Sequence, residues 1–307
     1  MKLHKSSGNW RLGLALSSLT VFLWGILPVA LAVTLQALDV YTVTWFRFVV
    51  AFTILGIYLA TKGELPPIEK LRKIPLKLLG IAIIYLAINY LLFLLGLAYT
   101  SPSHAEVLIQ LAPVLMGLGG VFIFKERYSL RQWMGLSVLT LGLALFFNEQ
   151  LRAFITTPTK YLWGSVFLVI GAIAWAVYAM AQKQLLQILP SSNIMLLIYG
   201  SCAILFSPVA KPDELLAISP LHWGMLIFCA LNTVFAYGAF AESLSHWEAS
   251  KVSAVLALAP LVTLVAMWGE EWLLPGLVEP EHLTILAVFG AVLVVSGSVA
   301  IALGKKQ

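Results

Sequence analysis

The chain has 307 residues, 61% of them hydrophobic and 11% charged, with a formal net charge of +5 and a mean hydropathy of +0.94. Soluble domains run at about 45–50% apolar and about 25% charged, so these values exclude a soluble globular domain. They also exclude a disordered chain, which is poor in apolar residues. The two cysteines, Cys202 and Cys229, sit in apolar runs and make neither a disulfide framework nor a Cys-rich metal site.

A membrane-spanning helix needs about 20 mostly apolar residues. Ten stretches meet this requirement: 12–36, 40–61, 75–99, 103–124, 131–148, 161–182, 193–210, 221–243, 250–269 and 282–303. The linkers carry turn formers or charge, among them Leu38-Asp39, Pro66-Pro67, Ser101-Pro102, Pro158, Pro190-Ser191 and Pro220. None is long enough for a soluble domain. Lys2, Lys5 and Arg11 precede the first run, and Ala30-Leu31-Ala32 near its end resembles a signal-peptidase site. That run is long for a signal peptide and has a counterpart later in the chain, so it reads as a retained first span.

Lys and Arg favour the cytoplasmic side of a membrane. Of the 19 Lys and Arg, Arg152, Lys160 and Lys211 fall on one side and Arg47 lies inside span 2. All the others share the side of the two termini, which is therefore expected to be cytoplasmic. The last loop on the other side is acidic, with Glu270, Glu271, Glu279 and Glu281. The basic balance is thus explained by topology, with no nucleic-acid partner.

The two halves repeat. Trp24-Gly25 in span 1 answers Trp175-Ala176 in span 6, and Ala112-Pro113 in span 4 answers Ala259-Pro260 in span 9. Glu126 follows the first of these prolines and Glu271 the second. Gly135 and Gly142 in span 5 answer Gly290 and Gly297 in span 10. Each half, 1–152 and 153–307, therefore holds five spans, and an odd number forces the second half to insert upside down. Inverted repeats build secondary transporters with a substrate site near the midplane.

These residues resemble the EamA family of the drug/metabolite transporter superfamily. The likeness rests on Trp24-Gly25, Arg47-Phe48 early in span 2, Pro113 followed by Glu126, the glycine pair of span 5, and their counterparts in the second half. It runs from about Leu12 to Leu303. It implies an all-α membrane protein of ten helices in two inverted five-helix repeats, usually an exporter of amino acids, related metabolites or drugs. Span 7 departs from the pattern, with no basic residue answering Arg47. Span 1 has no carboxylate, so the proton coupling through a first-helix Glu used by the superfamily's small multidrug members is not implied.

Ionisable groups inside spans cost about 2.5–3.5 kcal/mol on insertion scales and usually face the bundle interior. Arg47 lies about 10 Å along span 2 from the outer end, at about 1.5 Å per residue, and Glu106 sits one turn into span 4 at a comparable depth. Two readings stand. Arg47 snorkels to the surface while Glu106 complements its helix dipole, or the two form an outer gate or a site for a charged substrate group. His104 marks the same mouth, and with Glu106 it is a candidate for proton coupling. Glu106, Gln110, Pro113 and Gly117 share one helical face, and Gly117, Gly119 and Gly120 allow close packing below them. Span 9 carries Ser250, Ser253, Ala257 and Pro260, with Lys251 at its inner end. Pro113 and Pro260 each remove a backbone donor, which suits either a gating hinge or a static kink.

Trp24 and Trp175 lie deep rather than in the interfacial belt, with Tyr178 on the face of Trp175. Tyr85, Asn89 and Tyr90 in span 3 and Asn232 and Tyr237 in span 8 lie near mid-depth. Each is either plain packing or cavity lining, and together they point to a central cavity. The other tryptophans, Trp247 among them, read as belt anchors. Glu242, His246 and Glu248 gather near Lys251 as a solvated inner-mouth network or an inner gate.

The sequence thus predicts a secondary transporter exporting small neutral or zwitterionic metabolites by alternating access, with Arg47 for a carboxylate and Glu106 for an ammonium. No cofactor and no nucleotide-binding loop is expected. A transporter of drugs, or of phosphorylated or nucleotide sugars, is the alternative, although phosphates favour several cavity cations. An intramembrane enzyme lacks any catalytic motif here.

Overall fold

The computed structural model describes residues 6–146, 148, 159–273 and 284–303. Among these the regular structure is helical throughout. In chain order it runs α1 (Trp10–Thr34), α2 (Val40–Lys62), the short α3 (Ile68–Leu71), α4 (Leu76–Tyr99), α5 (Pro102–Ile109), α6 (Leu111–Phe122) and α7 (Leu130–Phe146). It continues with α8 (Thr159–Leu185), α9 (Ser191–Phe206), α10 (Pro220–His246), α11 (Ala249–Leu256), α12 (Ala259–Leu273) and α13 (Ile285–Ala302). Seven stretches are long and apolar enough to cross a membrane: 10–34, 40–62, 76–99, 104–122, 161–185, 220–246 and 249–269. The expected spans 5, 7 and 10 appear as the shorter apolar helices 130–146, 191–206 and 285–301. The boundary between the two expected repeats, at 152 and 153, lies outside the described residues, as do Glu279 and Glu281.

Polar linker residues start the helices. The Asp39 carboxylate accepts from the Tyr41 and Thr42 N–H groups at the head of α2, and Ser219 caps α10 ahead of Pro220. These bonds satisfy first-turn N–H groups that have no intrahelical acceptor.

Two expected spans are broken rather than merely kinked. Span 4 divides into α5 and α6 at Gln110, and span 9 into α11 and α12 at Ala257-Leu258. Each break lies just upstream of a proline, Pro113 or Pro260. Proline offers no N–H to the carbonyl four residues back and its ring crowds that carbonyl. Interrupted backbone at membrane depth is tolerated where it borders a cavity or is buried in protein.

Small residues bring the helices together, as is usual inside membranes. A Cβ on Gly142 of α7 would lie 2.6 Å from the Val294 backbone nitrogen and 2.9 Å from the Gly290 carbonyl of α13. One on Gly290 would meet the Phe146 nitrogen at 2.3 Å. The two glycine pairs of the sequence repeat therefore face each other. The α4–α8 contact is made the same way at Gly96 and Gly164. Thr20 of α1 donates to the Ala236 carbonyl of α10 at 3.3 Å. Trp45 of α2 donates to Ser207 just past α9 at 3.1 Å, and α5–α6 packs on α11–α12. In the numbering of expected spans the partners are 1 with 8, 2 with 7, 3 with 6, 4 with 9 and 5 with 10.

Trp247 corrects one expectation. It is buried, 5% exposed, and fills the space left by Gly13 of α1 instead of standing in an interfacial belt. Trp10, Trp133, Trp163, Trp268 and Trp272 are exposed on the outside of the bundle.

Candidate functional site: an aromatic cavity between the broken helices

Pro113 and Ala259, beside the two breaks, border a cavity of about 90 Å³, on a scale where one water takes about 10–15 Å³. Of the expected site residues, Trp24, Arg47, Asn89, Glu106, Gln110, Pro113, Trp175 and Tyr237 line it. They come from α1, α2, α4, α5–α6, α8 and α10, so beyond the shared face of Glu106, Gln110 and Pro113 only the tertiary structure brings them together. Tyr90, Phe93 and Leu256 complete much of the wall.

The aromatic side is built on α1, α8 and α10. The Trp24 ring meets Trp175 edge-on at 5.6 Å and Tyr237 at 4.9 Å. Such T-shaped pairs add about 0.5–1.5 kcal/mol beyond area burial and hold the rings in place. The Asn89 amide donates to the Gly171 carbonyl at 3.0 Å and accepts from the Tyr237 hydroxyl at 3.5 Å, which ties α4 to both α8 and α10.

Arg47 is buried, 2% exposed, and turns inward; it does not snorkel. Its Nε donates to Thr233 Oγ1 at 3.0 Å, and its guanidinium lies 4.4 Å from the centre of the Tyr90 ring. A cation over an aromatic face gains from the ring's quadrupole, but a buried charge still calls for an anion. Among the described residues no carboxylate lies within 4 Å of Arg47. Glu106 lines the same cavity without pairing with it. The Glu106 carboxylate accepts instead from Gln110 Nε2, one turn on, at 2.6 Å. Gln110 Oε1 and Trp24 Nε1 are buried without a hydrogen-bond partner among the described residues, which gives the wall one unmet acceptor and one unmet donor.

The other expected residues lie elsewhere. Tyr178 is fully buried and donates to Met195 Sδ at 3.3 Å. Asn232 donates to the Leu23 carbonyl, and Tyr85 packs against the apolar core. None of the three borders the cavity. His104, expected at a mouth, is fully buried, bonds Ser165 at 2.7 Å and packs on the Tyr161 ring at 4.5 Å. Pro260 is buried beside its break. The expected inner-mouth network resolves into two pairs, His246 with Glu242 at 3.1 Å and Lys251 with Glu248 at 3.2 Å. Thr233 is the participant that sequence reasoning missed. A threonine inside an apolar helix carries no signal of its own until Arg47 is found opposite it.

The chain matches the EamA-like transporter family over residues 11–148 and 162–303. It is 39% identical to the "uncharacterized inner membrane transporter YhbE" of Escherichia coli over 96% of this chain and 92% of that protein. It is 38% identical to an "uncharacterized transporter" of Haemophilus influenzae over 96% of both chains. A solved structure superposes with a TM-score of 0.72 over 95% of this chain and 96% of the other; at 16% identity that shows a shared fold. Two family matches that together span most of the chain, relatives known as transporters, and a bundle of apolar helices around a cavity agree on one conclusion: this protein is a membrane transporter that belongs to the EamA-like family.

Proposed function

We propose that the protein is a secondary transporter that exports small zwitterions, amino acids foremost, from the cytoplasm by alternating access around the aromatic cavity. The observation that carries the substrate class is Arg47, a buried cation that lines the cavity with no carboxylate within 4 Å of it among the described residues. A substrate carboxylate supplies the missing anion. The Glu106 carboxylate and the unpartnered Gln110 Oε1 receive its ammonium, and the rings of Trp24, Trp175 and Tyr237 receive its side chain. Glu106 is also the proposed proton-coupling site. Arg47 is the one cation among the lining residues, which favours a carboxylate over a phosphate.

The architecture proposed is ten spans in two inverted repeats, 1–152 and 153–307, in an inner membrane, with both termini cytoplasmic. The helix pairing supports it. Exchanging each span with the one five places on turns the 1–8 contact into the 6–3 contact and leaves 2–7, 4–9 and 5–10 unchanged, as a two-fold axis in the membrane requires. The resemblance of YhbE, an inner membrane transporter, supports the location.

The test is efflux from liposomes that hold the purified protein and a mixed pool of amino acids and other metabolites. Contents are read by mass spectrometry with and without a pH gradient. Selective loss of a few amino acids is expected, and dependence on the gradient points to Glu106. No amino-acid loss from folded, inserted protein overturns the substrate class.

A further inference from the structure

At the far end of the broken helices from Arg47 lies a second buried charge cluster. Glu126 follows α6 after a turn in which Lys125 takes the left-handed conformation, φ 56°. That turn lets the Glu126 N–H donate to the Gly120 carbonyl at 3.0 Å and folds the side chain back over Gly120. A Cβ at Gly120 would lie 2.6 Å from Glu126 Oε2. The carboxylate then reaches two other elements. Oε1 accepts from Lys183 Nζ of α8 at 2.6 Å and from the Ala249 N–H at 2.9 Å, and Oε2 accepts from the Ser250 N–H at 3.0 Å. The Lys183 and Glu126 side chains are 3% and 9% exposed.

Ala249 and Ser250 open α11. First-turn N–H groups lack intrahelical partners and carry the positive end of the helix dipole. Glu248, which precedes them, gives no side-chain cap. The cap comes instead from Glu126, on the loop after α6, in the other half of the chain. Beyond it α6 and α11 lie in close contact, where a Cβ on Gly117 would be 2.9 Å from Ser253 Oγ. This is the side on which α1 begins, since Ser7 bonds to Ser245 and His246 there, and the side proposed above for the two termini.

Both half-helices also reach the cavity. Ala112 and Pro113 stand at its wall in the first turn of α6, and Leu256 ends α11 there. Each is cut from its partner at the cavity by a proline-linked break. Each therefore runs from the cavity at one end to Glu126 at the other.

We propose that Glu126, gripping Lys183 and the head of α11, is the latch that holds the mouth on the side of the termini shut. A ligand that moves α6 or α11 at the cavity acts on the latch through these two half-helices. The proposal rests on the alternating-access reading but needs no particular substrate.

The test places a single reporter thiol at the sealed contact by Ser253→Cys, with Cys202→Ala and Cys229→Ala, in vesicles of both orientations. A membrane-impermeant maleimide is applied to each face. With Glu126→Gln added, labelling from the face of the termini is expected to accelerate about tenfold or more, because the Lys183 ammonium is left without its carboxylate. Labelling from the opposite face is expected to stay unchanged. The double variant Glu126→Gln, Lys183→Met removes both charges, leaves no lone buried ion, and is expected to behave alike. Unchanged labelling in folded protein overturns the proposal, and so does an equal gain from both faces, which would be general loosening. Failure of both variants to fold makes the pair a structural brace and also overturns it. Labelling requires no transported substrate, so a negative efflux assay leaves this test standing, and unchanged labelling leaves the exporter reading standing.

Discussion

Arg47 and Glu126 are both charged and both buried in an apolar bundle, Arg47 at the cavity beside the helix breaks and Glu126 at the far end of the half-helices. They differ in what answers them. Glu126 has a lysine and two backbone N–H groups on its carboxylate, while Arg47 has one threonine hydroxyl and the face of a tyrosine. Burying a charge is tolerable only when it is paired and hydrogen-bonded. The fully answered charge can be read as part of the protein's own machinery, and the incompletely answered one as a place kept for a ligand.

Substitutions test this contrast, and the largest effect is expected at Arg47. Arg47→Met should cut efflux by about 100-fold or more, the effect of truncating one partner of a buried charge pair, while the protein still inserts and folds. Efflux kinetics alongside a thermal melt check both halves of that statement. Next comes Gly120→Ala, which drives a methyl group into Glu126 Oε2. Over-packing of this kind costs about 1–3 kcal/mol, so the melting temperature should fall and labelling from the face of the termini should rise.

Gln110→Leu sharpens the cavity side of the comparison. It removes both the donor to Glu106 and the unpartnered acceptor. Substrate affinity should drop about tenfold, equivalent to about 1.4 kcal/mol, with stability unchanged. Equal loss of stability would mean that Gln110 braces the helix break.

The smallest effect expected is that of pH on the latch. Burial pushes the Glu126 carboxyl up, but the Lys183 ammonium and the bonds from Ser250 outweigh it and hold the carboxyl below the ordinary carboxylate range. Nearby Tyr128, pushed up to about 12 by burial, stays neutral. A group whose folded pKa is lowered gives stability that is present above its unfolded pKa and is lost as pH falls through the folded value. Because the thiolate is the reacting form, labelling at the latch is read as a ratio to that of a free thiol at the same pH; this ratio should stay constant through neutral pH and rise only on acidification below the carboxylate range.

Much of this molecule is legible in its sequence. Apolar runs of about 20 residues announce the helices, because the bilayer interior admits few other backbone structures. The glycines that match between spans 5 and 10 in the sequence face each other across one interface in the structure. Of the fourteen residues expected at the cavity or as gate and hinge, eight line it, from Trp24 and Arg47 to Trp175 and Tyr237, while Tyr85, Tyr178, Asn232, His104, Pro260 and Lys251 do not. Periodicity assigns a residue to a helix face but does not say whether that face meets a cavity or a neighbour.

What the sequence determined by itself is the apolar helical character, the positions of most spans and the two prolines that interrupt a helix. These follow from local chemistry: side-chain hydrophobicity over a stretch, and the N–H that proline lacks. The tertiary structure alone decided that Arg47 meets Thr233 and Tyr90 rather than Glu106, and that Glu126 caps a helix 123 residues away. A buried charge takes whatever partner the packing brings within about 3 Å. That distance is set by how helices from both halves of the chain cross, which no local pattern encodes.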